Sequence, residues 1–241
     1  MKKFILILTL FIVTEFISAY TTQNYTVDES KFVIHKMNPQ KGKLKLYWKD
    51  PKGKIFGSLG SLKKSLESND EILVFAMNGG MYNKDQSPQG LCILKGKTIA
   101  KIDRNTKGYG NFYLQPNGIF HIDKDGKALI TQTTNFKTNS NIDYATQSGP
   151  MLLINGAYHP KLTKGSANLH IRNGVGILPT GEVLFAMSKE KINFFDLATL
   201  FKQNGCINAL YLDGFVSKTY LPVSNWIQLD GKFGVIIAET K

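Results

Sequence analysis

The sequence predicts one α+β domain with mixed or antiparallel β-sheets and a few helices. Short apolar runs of strand length recur along most of the 241-residue chain, and glycine-bearing turns separate them. Only two segments carry the apolar spacing that is typical of a helix. A pattern of many strands and two helices indicates an α+β architecture.

The N-terminal half begins with two strand-like runs, FVIHKM and KLKLYW, within residues 31–48. Lysines alternate with apolar residues in KLKLYW, which places the two kinds of side chain on opposite faces of a strand. A short helix is expected near Leu59–Glu67, with Ser58 or Ser61 available as its N-cap. The next apolar run, residues 72–77, is expected to be a strand that leads into Asn78.

The C-terminal half begins with a β-meander pattern between residues 90 and 131. Residues 133–146 are polar and are interpreted as a loop over the site. Further strands are expected at 150–154, 175–178 and 182–187. They are followed by a helix that Asn193 caps and Gly205 ends, and this helix leads into the strand ALYLDG, residues 209–214.

The N-terminus predicts export from the cytoplasm. Residues 1–19 combine two lysines, an apolar core and a small residue, Ala19, at the expected cleavage site, which is the pattern of a secretory signal peptide. The apolar core is short for a membrane span and Glu15 interrupts its continuation, although an uncleaved anchor stays an alternative. We therefore expect a secreted or periplasmic domain, residues 20–241, with no stable membrane span after cleavage.

The formal net charge of +12 raises the question of nucleic-acid binding, but only Arg104 and Arg172 among the 30 basic residues are arginines. Base recognition relies on arginine, and surfaces that follow phosphates usually carry basic clusters rather than scattered lysines. No nucleic-acid partner is expected. A basic surface can still concentrate anionic substrates around the protein.

The two cysteines, Cys92 and Cys206, lie in apolar contexts. They can pair in an oxidising compartment or pack as free thiols. Neither has histidine or cysteine neighbours at zinc-binding spacing, so no metal site is expected, and no cofactor is expected either.

Three strand-like apolar runs adjoin small clusters of glycines and polar side chains. The clusters are Asn78-Gly79-Gly80, Gln147-Ser148-Gly149 and Asp213-Gly214. Glycine lets the backbone approach a ligand closely, and an amide or carboxylate beside it supplies hydrogen bonds or charge. A fourth segment, residues 170–177, adds the cation of Arg172. The repetition predicts one polar site assembled from distant segments, although Asn-Gly and Asp-Gly pairs also mark ordinary turns.

Five motifs follow one another between Asn78 and Tyr220: NGGMY, GNFYLQPNG, QSGPMLL, RNGVGI and ALYLDGFVSKTY. In this order they resemble the phosphodiester glycosidase family, and most closely its shorter bacterial branch. One segment departs from the family pattern, since residues 213–217 read Asp-Gly-Phe-Val-Ser where many members carry Asp-Gly-Gly-Gly-Ser-Ser. The resemblance implies hydrolysis at a sugar anomeric carbon with a phosphate diester as the leaving group.

Three residues are candidates for catalysis of this reaction. A phosphate leaves more readily than an alkoxide, so donors that hold its negative charge can replace one of the two carboxylates of an ordinary glycosidase. Arg172 suits that task through its permanent charge and bidentate geometry. Asp213 is the candidate carboxylate, and it can stabilise an oxocarbenium-like centre, attack it or activate water. His170 is either a proton-transfer partner or a structural histidine.

The remaining candidates are assigned to substrate binding through amides, hydroxyls and backbone N–H groups, or alternatively to structural turns. They are Asn78, Gly79, Gly80, Gln147, Ser148, Gly149, Gly214 and Ser217. Tyr82 and Tyr220 can stack on a sugar ring or pack in the core. Three further acids are alternative second carboxylates: Asp85, Asp143 and Asp196.

Together these features predict a secreted hydrolase that cleaves a sugar phosphodiester or related glycosidic bond of an envelope or extracellular glycan. Its expected partner is a carbohydrate or sugar-phosphate substrate. The alternative is a non-catalytic envelope protein that binds anionic glycans through the same pocket. The sequence specifies neither the sugar nor the oligomeric state.

Overall fold

The computed structural model describes residues 25–213 and 216–241. The predicted signal peptide, residues 1–19, and the predicted site residue Gly214 lie outside these ranges. Within them, no helix is both long and apolar enough to cross a membrane.

The described residues form two α-helices and sixteen strands. The helices are α1 (Leu59–Glu67) and α2 (Phe194–Gln203). The strands are β1 (Phe32–Met37), β2 (Lys43–Tyr47), β3 (Leu73–Asn78), β4 (Cys92–Leu94), β5 (Lys97–Ala100), β6 (Gly118–Asp123), β7 (Ala128–Gln132), β8 (Ile142–Ser148), β9 (Met151–Ile154), β10 (Ala157–Tyr158), β11 (Asn173–Ile177), β12 (Val183–Ser188), β13 (Asn208–Tyr211), β14 (Thr219–Leu221), β15 (Trp226–Ile227) and β16 (Ile236–Thr240). Short 3-10 turns cover Glu29–Lys31, Asn111–Tyr113 and Pro222–Ser224.

The strands build three sheets, and every strand pair among the described residues is antiparallel. The first sheet has the order β1-β12-β11-β13-β9-β10, the second β15-β14-β3-β16-β2 and the third β5-β4-β8-β6-β7. The predicted α+β class with antiparallel sheets is therefore confirmed. Many neighbouring strands are distant in sequence, so the sheets bring remote segments side by side.

One large hydrophobic core joins the three sheets. Strands of each sheet contribute to it, for example Val175 from the first, Phe75 from the second and Phe120 from the third. Because strand side chains alternate between faces, the first and second sheets each carry a second apolar face. On these faces α2 covers the first sheet and α1 covers the second. Burial of this apolar surface is the main stabilising contribution to the fold.

The two helices begin where the sequence predicts. The Ser58 side chain caps α1 by accepting a hydrogen bond from the backbone N–H of Ser61 at 3.2 Å. Asn193 caps α2 in the same way, from Asp196 N at 2.9 Å. Close packing of α2 on the first sheet requires glycine on β11, because a Cβ at Gly176 would lie 2.6 Å from a ring carbon of Phe201.

The prediction of a loop over residues 133–146 is wrong in its C-terminal part. Residues 142–148 form β8, the central strand of the third sheet. Its polar residues Thr146, Gln147 and Ser148 suggest a solvent-exposed segment, but all three are buried. Polar side chains can be buried at this strand because hydrogen bonds within the fold satisfy them.

Both cysteines are free thiols in the structure. Cys92 lies on β4 and Cys206 follows α2, and both are buried. Burial raises the pKa of each thiol to about 12, so both stay protonated at neutral pH. They pack as small apolar groups in their clusters.

His121 on β6 is expected to make folding stability depend on pH. Burial lowers its pKa from 6.5 to about 4, so between these values the unfolded chain binds a proton that the folded chain does not. Stability from this group is complete above pH 6.5 and decreases as the pH falls towards 4, by at most about 3 kcal/mol. Urea unfolding across this range should show a steeper pH dependence for the natural protein than for His121→Gln. Equal slopes would contradict the assignment.

Candidate functional site

The ends of three strands, β3, β11 and β13, meet in the fold. On β11 and β13 the register pairs Gly174 with Tyr211, and the backbone N–H of Leu212 donates to Asn173 O at 3.2 Å. Continued beyond these pairs, the same register sets the backbone of Arg172, just before β11, opposite that of Asp213, just after β13. The C-terminal residue of β3, Asn78, reaches both segments through hydrogen bonds, and we call this region the strand-end site.

Asn173 is the centre of the strand-end site. Its Nδ2 donates to the backbone O of Asn78 at 3.1 Å and lies 3.0 Å from Asn78 Oδ1. Its Oδ1 accepts from the backbone N–H of Asp213 at 3.1 Å and lies 3.2 Å from Ser217 Oγ. The side chain is fully buried and joins the second sheet to the end of the first.

Asn78 and Ser217 hold the same loop from its other side. Asn78 Nδ2 donates to Asp213 O at 3.3 Å, and its Oδ1 accepts from Lys218 N at 3.0 Å. Ser217 Oγ donates to Asp213 O at 2.6 Å. The backbone of Asp213 is therefore fixed at its N–H and at its carbonyl, which positions a half-buried carboxylate at the strand end.

Arg172 is a buried cation, with only 1% of its surface exposed. Nε donates to Ile192 O, and Nη2 donates to the O and Oδ1 of Asn168, each at 2.9 Å. The guanidinium stacks on Phe194, with Cζ 3.7 Å from the ring centroid. Within the described ranges, Nη1 has no hydrogen-bond partner and no carboxylate lies within 4.0 Å of the guanidinium.

This environment is unfavourable for a charge. Burial lowers the pKa of Arg172, whereas the charge and the hydrogen-bonding capacity of the neighbouring Tyr211 hydroxyl raise it again. The Tyr211 hydroxyl is thus close to the guanidinium, although it forms no hydrogen bond within 3.5 Å that would satisfy Nη1. A guanidinium nevertheless stays protonated in a protein, so the site carries a fixed positive charge. A buried charge is normally paired, and an anionic ligand would supply the missing partner.

Two tyrosines lie in the electrostatic field of Asp213. Burial raises the pKa of Tyr211, with the Arg172 charge lowering it and the Asp213 carboxylate raising it. Burial and the Asp213 charge both raise the pKa of Tyr82. Both hydroxyls therefore keep their protons at neutral pH and can donate hydrogen bonds.

The two glycines after Asn78 allow the end of β3 to pack tightly. Gly79 N donates to Val235 O at 2.8 Å, so this backbone group is already used within the fold. A Cβ at Gly79 would lie 2.6 Å from Ile237 Cγ1, and one at Gly80 would lie 2.5 Å from Thr146 Oγ1. Both positions thus require glycine for close approach between elements, and ligand binding by them stays a prediction.

Gln147, Ser148 and Gly149 are buried, and the side chains of Gln147 and Ser148 bind backbone atoms. Gln147 Oε1 accepts from the N–H groups of Leu91 and Asp103, and its Nε2 donates to Asp103 O at 2.6 Å. Ser148 Oγ donates to the backbone O of Leu212 at 2.7 Å, next to Asp213. These contacts attach the third sheet to the strand-end site, while direct substrate contact by the three residues stays a prediction.

His170 is half-buried two residues before Arg172. Its backbone forms an isolated antiparallel bridge with Ile192, the residue whose carbonyl accepts from Arg172. His170 therefore belongs to the segment that positions the arginine. Proton transfer by His170 stays a prediction.

Other residues considered from the sequence have local roles. Asp85 is exposed and accepts from Ser87, and Asp196 accepts from the Tyr25 hydroxyl at 2.9 Å. Asp143 is half-buried on β8, and Tyr220 packs in the apolar cluster under α1. Across the described ranges, no group of three His, Cys, Asp or Glu side chains is arranged to hold a metal ion.

Sequence reasoning did not identify Asn173 and Tyr211 as site residues. Asn173 lies within the RNGVGI motif, but an Asn-Gly pair is an ordinary turn signal. Tyr211 lies inside a strand, where an aromatic residue is expected for packing. The motif ALYLDG was the available signal for Tyr211, because it ends at the candidate carboxylate.

The chain is similar in sequence to known proteins over most of its length. Residues 71–234 match the family model described as phosphodiester glycosidase. The uncharacterized protein YigE of Escherichia coli (strain K12) is 37% identical over 202 residues, which cover 83% of this chain and 74% of YigE. The resemblance expected from the five motifs is confirmed.

Two solved structures share the fold. The catalytic domain of zebrafish N-acetylglucosamine-1-phosphodiester alpha-N-acetylglucosaminidase, auto-inhibited by its pro-peptide, has a TM-score of 0.56 and 15% identity, covering 86% of this chain and 81% of that chain. A hypothetical protein from Synechocystis has a TM-score of 0.55 and 11% identity, covering 87% of this chain and 59% of that chain. At these identities the likeness concerns the fold alone.

Asn173→Ala is expected to destabilise the protein strongly. The substitution leaves the Asn78 carbonyl and the Asp213 N–H without their buried partner, at a cost of about 2–4 kcal/mol in the free energy of unfolding. Urea unfolding measures this cost. The control Asn69→Ala removes an exposed asparagine with one hydrogen bond, to Ser65 O, and should change stability by less than about 0.5 kcal/mol. Similar values for the two variants would show that Asn173 does not hold the site together.

Proposed function

The chain belongs to the phosphodiester glycosidase family, and on that premise we propose that it is a hydrolase that cleaves a sugar phosphodiester or a related glycosidic bond. The observation that supports this activity most directly is the buried guanidinium of Arg172, whose Nη1 has no hydrogen-bond partner among the described residues. The strand register, continued beyond Gly174 and Tyr211, sets its backbone opposite that of Asp213. A phosphodiester substrate carries a negative charge that can pair with this cation. A neutral glycoside does not.

The proposed reaction breaks the bond between the anomeric carbon and a phosphate oxygen. Positive charge develops on the sugar ring, and negative charge develops on the departing phosphate. Asp213 stabilises the positively charged anomeric carbon, attacks it, or activates the water molecule that attacks it. Arg172 stabilises the phosphate through Nη1, because its other nitrogens already bind Ile192 and Asn168.

Tyr82 and Tyr211 supply further hydrogen-bond donors in this proposal. Their raised pKa values keep both hydroxyls protonated beside Asp213. A neutral donor can hold a phosphate or sugar oxygen without adding a second negative charge near the carboxylate. The site therefore combines one carboxylate with cationic and neutral donors, which suits a leaving group that needs charge stabilisation more than protonation.

The substrate is proposed to be an envelope or extracellular glycan that carries phosphate. The signal-peptide pattern of residues 1–19 supports a secreted or periplasmic location, and the net charge of +12 would concentrate anionic polymers near the protein. The zebrafish enzyme is named for N-acetylglucosamine-1-phosphodiester, so this sugar is the first to test. The departure at residues 213–217 from the family pattern calls for other sugars in the same panel.

Asp213→Asn should lower kcat/KM for sugar-1-phosphodiesters by at least about 100-fold, because the amide cannot stabilise or attack a cationic carbon. Arg172→Lys should lower it by about 100-fold, since one ammonium cannot bind Ile192, Asn168 and a phosphate together. Release of the free reducing sugar from a panel that begins with N-acetylglucosamine-1-phosphodiesters measures both effects.

The controls for this assay are Asp85→Asn and Asp196→Asn, which remove two of the three alternative acids. Both variants should keep the natural rate. A loss in either control with full activity in Asp213→Asn would move the catalytic carboxylate away from Asp213. Salt-sensitive glycan binding by the natural protein without turnover of any substrate would favour the non-catalytic alternative instead.

Expression of the full chain in a bacterial host should yield a mature protein that begins after Ala19, because the small residue there fits the cleavage pattern. N-terminal sequencing of the protein from periplasmic and culture fractions checks the position. Recovery of an uncleaved chain in the membrane fraction would favour the anchor alternative.

A further inference from the structure

A groove lies between α1 and the hairpin of residues 48–56, which follows β2. It consists of two adjoining depressions with volumes of about 580 and 530 Å³, each of the size that is typical of ligand-binding pockets. Along the helix it extends from Ser61 to Ser68, a distance of about 10 Å. None of its lining residues takes part in the reaction proposed above. The two depressions share Asp50, Pro51, Phe56, Ser65 and Asn69.

The groove has an aromatic lining. Trp48 and Phe56 are half-buried and are joined through the backbone, because Phe56 N donates to Trp48 O at 3.0 Å. The indole Nε1 of Trp48 donates to Gln86 O at 2.9 Å, which fixes the orientation of that ring. The Phe56 ring packs edge-on to Tyr47, with the ring centroids 6.3 Å apart. Flat apolar surfaces held in this way can pack against the C–H faces of sugar rings.

Exposed lysines surround this aromatic lining. The groove contains only two carboxylates, those of Asp50 and Glu71, so its positive charges exceed its negative charges by three. Over residues 25–213 and 216–241, none of the groove lysines forms an ion pair within 4.0 Å. The charge therefore favours an anionic partner. The groove lysines are Lys49, Lys52, Lys54, Lys64 and Lys95.

The hairpin presents two of these lysines from a tight turn. Asp50 Oδ1 accepts from the N–H groups of Lys52 and Lys54, at 2.9 and 2.8 Å. Asp50 N also donates to Lys54 O at 2.8 Å. The backbone of both lysines is therefore held in place before a ligand binds, which lowers the entropic cost of binding.

The groove begins at the end of the second sheet that carries the strand-end site. Tyr47 of β2, which lines the groove, and Asn78 of β3 both pair with Ile236 of β16, from opposite sides. Their backbones are therefore two strand spacings apart, about 10 Å. At this distance one chain molecule can contact the groove and the strand-end site together.

We infer that this groove binds a phosphate-bearing glycan chain, and on the proposed function it holds a part of the substrate beyond the cleaved bond. Lysine ammonium groups bind phosphates as point charges, and the aromatic lining accepts the sugar rings between the phosphates. A neutral glycan does not pair with the lysines, and a polyphosphate does not pack on the rings. The lining contains no arginine, the residue on which base recognition relies, which disfavours a nucleic acid.

Direct binding tests the inference with four probes: phosphorylated dextran, neutral dextran of the same length, inorganic polyphosphate and single-stranded DNA. Isothermal titration at about 0.15 M salt should show that phosphorylated dextran binds at least about tenfold more tightly than the other three and that added salt weakens its binding. Lys54→Gln/Lys64→Gln should lower this affinity by about tenfold, because it removes two cations from the groove. Phe56→Leu should weaken the binding of phosphorylated dextran and leave that of polyphosphate unchanged.

The matched control is Lys127→Gln/Lys202→Gln, which removes the same charge outside the groove lining. Lys127 has the place of Lys54 in an equivalent turn, because each N–H donates at 2.8 Å to the aspartate four residues earlier. Lys202 lies in the last turn of α2, as Lys64 lies in that of α1. This variant should bind phosphorylated dextran as the natural protein does.

Equal affinities of the two double variants would overturn the inference, and so would polyphosphate or DNA that binds as tightly as phosphorylated dextran. Kinetics separates the groove from the reaction, since Lys54→Gln/Lys64→Gln should keep the natural kcat/KM for small sugar-1-phosphodiesters. Turnover of these small substrates without binding of phosphorylated dextran would overturn the groove and leave the hydrolase proposal intact. Binding in the groove without hydrolysis of any substrate would support the groove and count against the hydrolase.

Discussion

The strand-end site depends on one buried amide, that of Asn173. Its NH₂ group binds Asn78 at the end of β3, and its oxygen binds the backbone of Asp213 after β13. These strands belong to different sheets, so the side chain joins the second sheet to the first where both end. An amide has both donors and an acceptor, which aliphatic, carboxylate and ammonium side chains lack. The position of Asp213 therefore follows from hydrogen bonding between the sheets together with the Ser217 hydroxyl of its own loop.

Arg172 directly precedes Asn173, but its hydrogen-bonding groups are not all satisfied. Neutral backbone groups and the Phe194 ring hold the guanidinium, and Nη1 is left without a partner among the described residues. Nη1 is enclosed in this structure, so an anion reaches it only after a local rearrangement. An anion bound there meets a positive charge that is already held in place, which favours catalysis through electrostatic preorganisation. The protonated hydroxyls of Tyr82 and Tyr211 extend the same environment towards Asp213.

Local signals explain which features the sequence could predict. The caps Ser58 and Asn193 act within three residues of themselves, and both helices begin where expected. The glycines of the motifs indicate where two backbone segments approach each other closely. The sequence therefore also predicted the polar clusters at the strand ends. Gln147 was expected to bind substrate, but its buried contacts with Leu91 and Asp103 depend on chain segments more than 40 residues away. The polar sequence of β8 was interpreted in part as a loop because the distant partners of its side chains are not evident from the sequence.

The most direct test is a crystal structure of the Asp213→Asn variant with an uncleaved sugar-1-phosphodiester. In that complex we expect a phosphate oxygen within hydrogen-bond distance of Arg172 Nη1 and the anomeric carbon next to residue 213. A ligand bound elsewhere, or one whose phosphate avoids a guanidinium still enclosed by Ile192 and Asn168, would contradict the central claim that Arg172 and Asp213 act on the same bond.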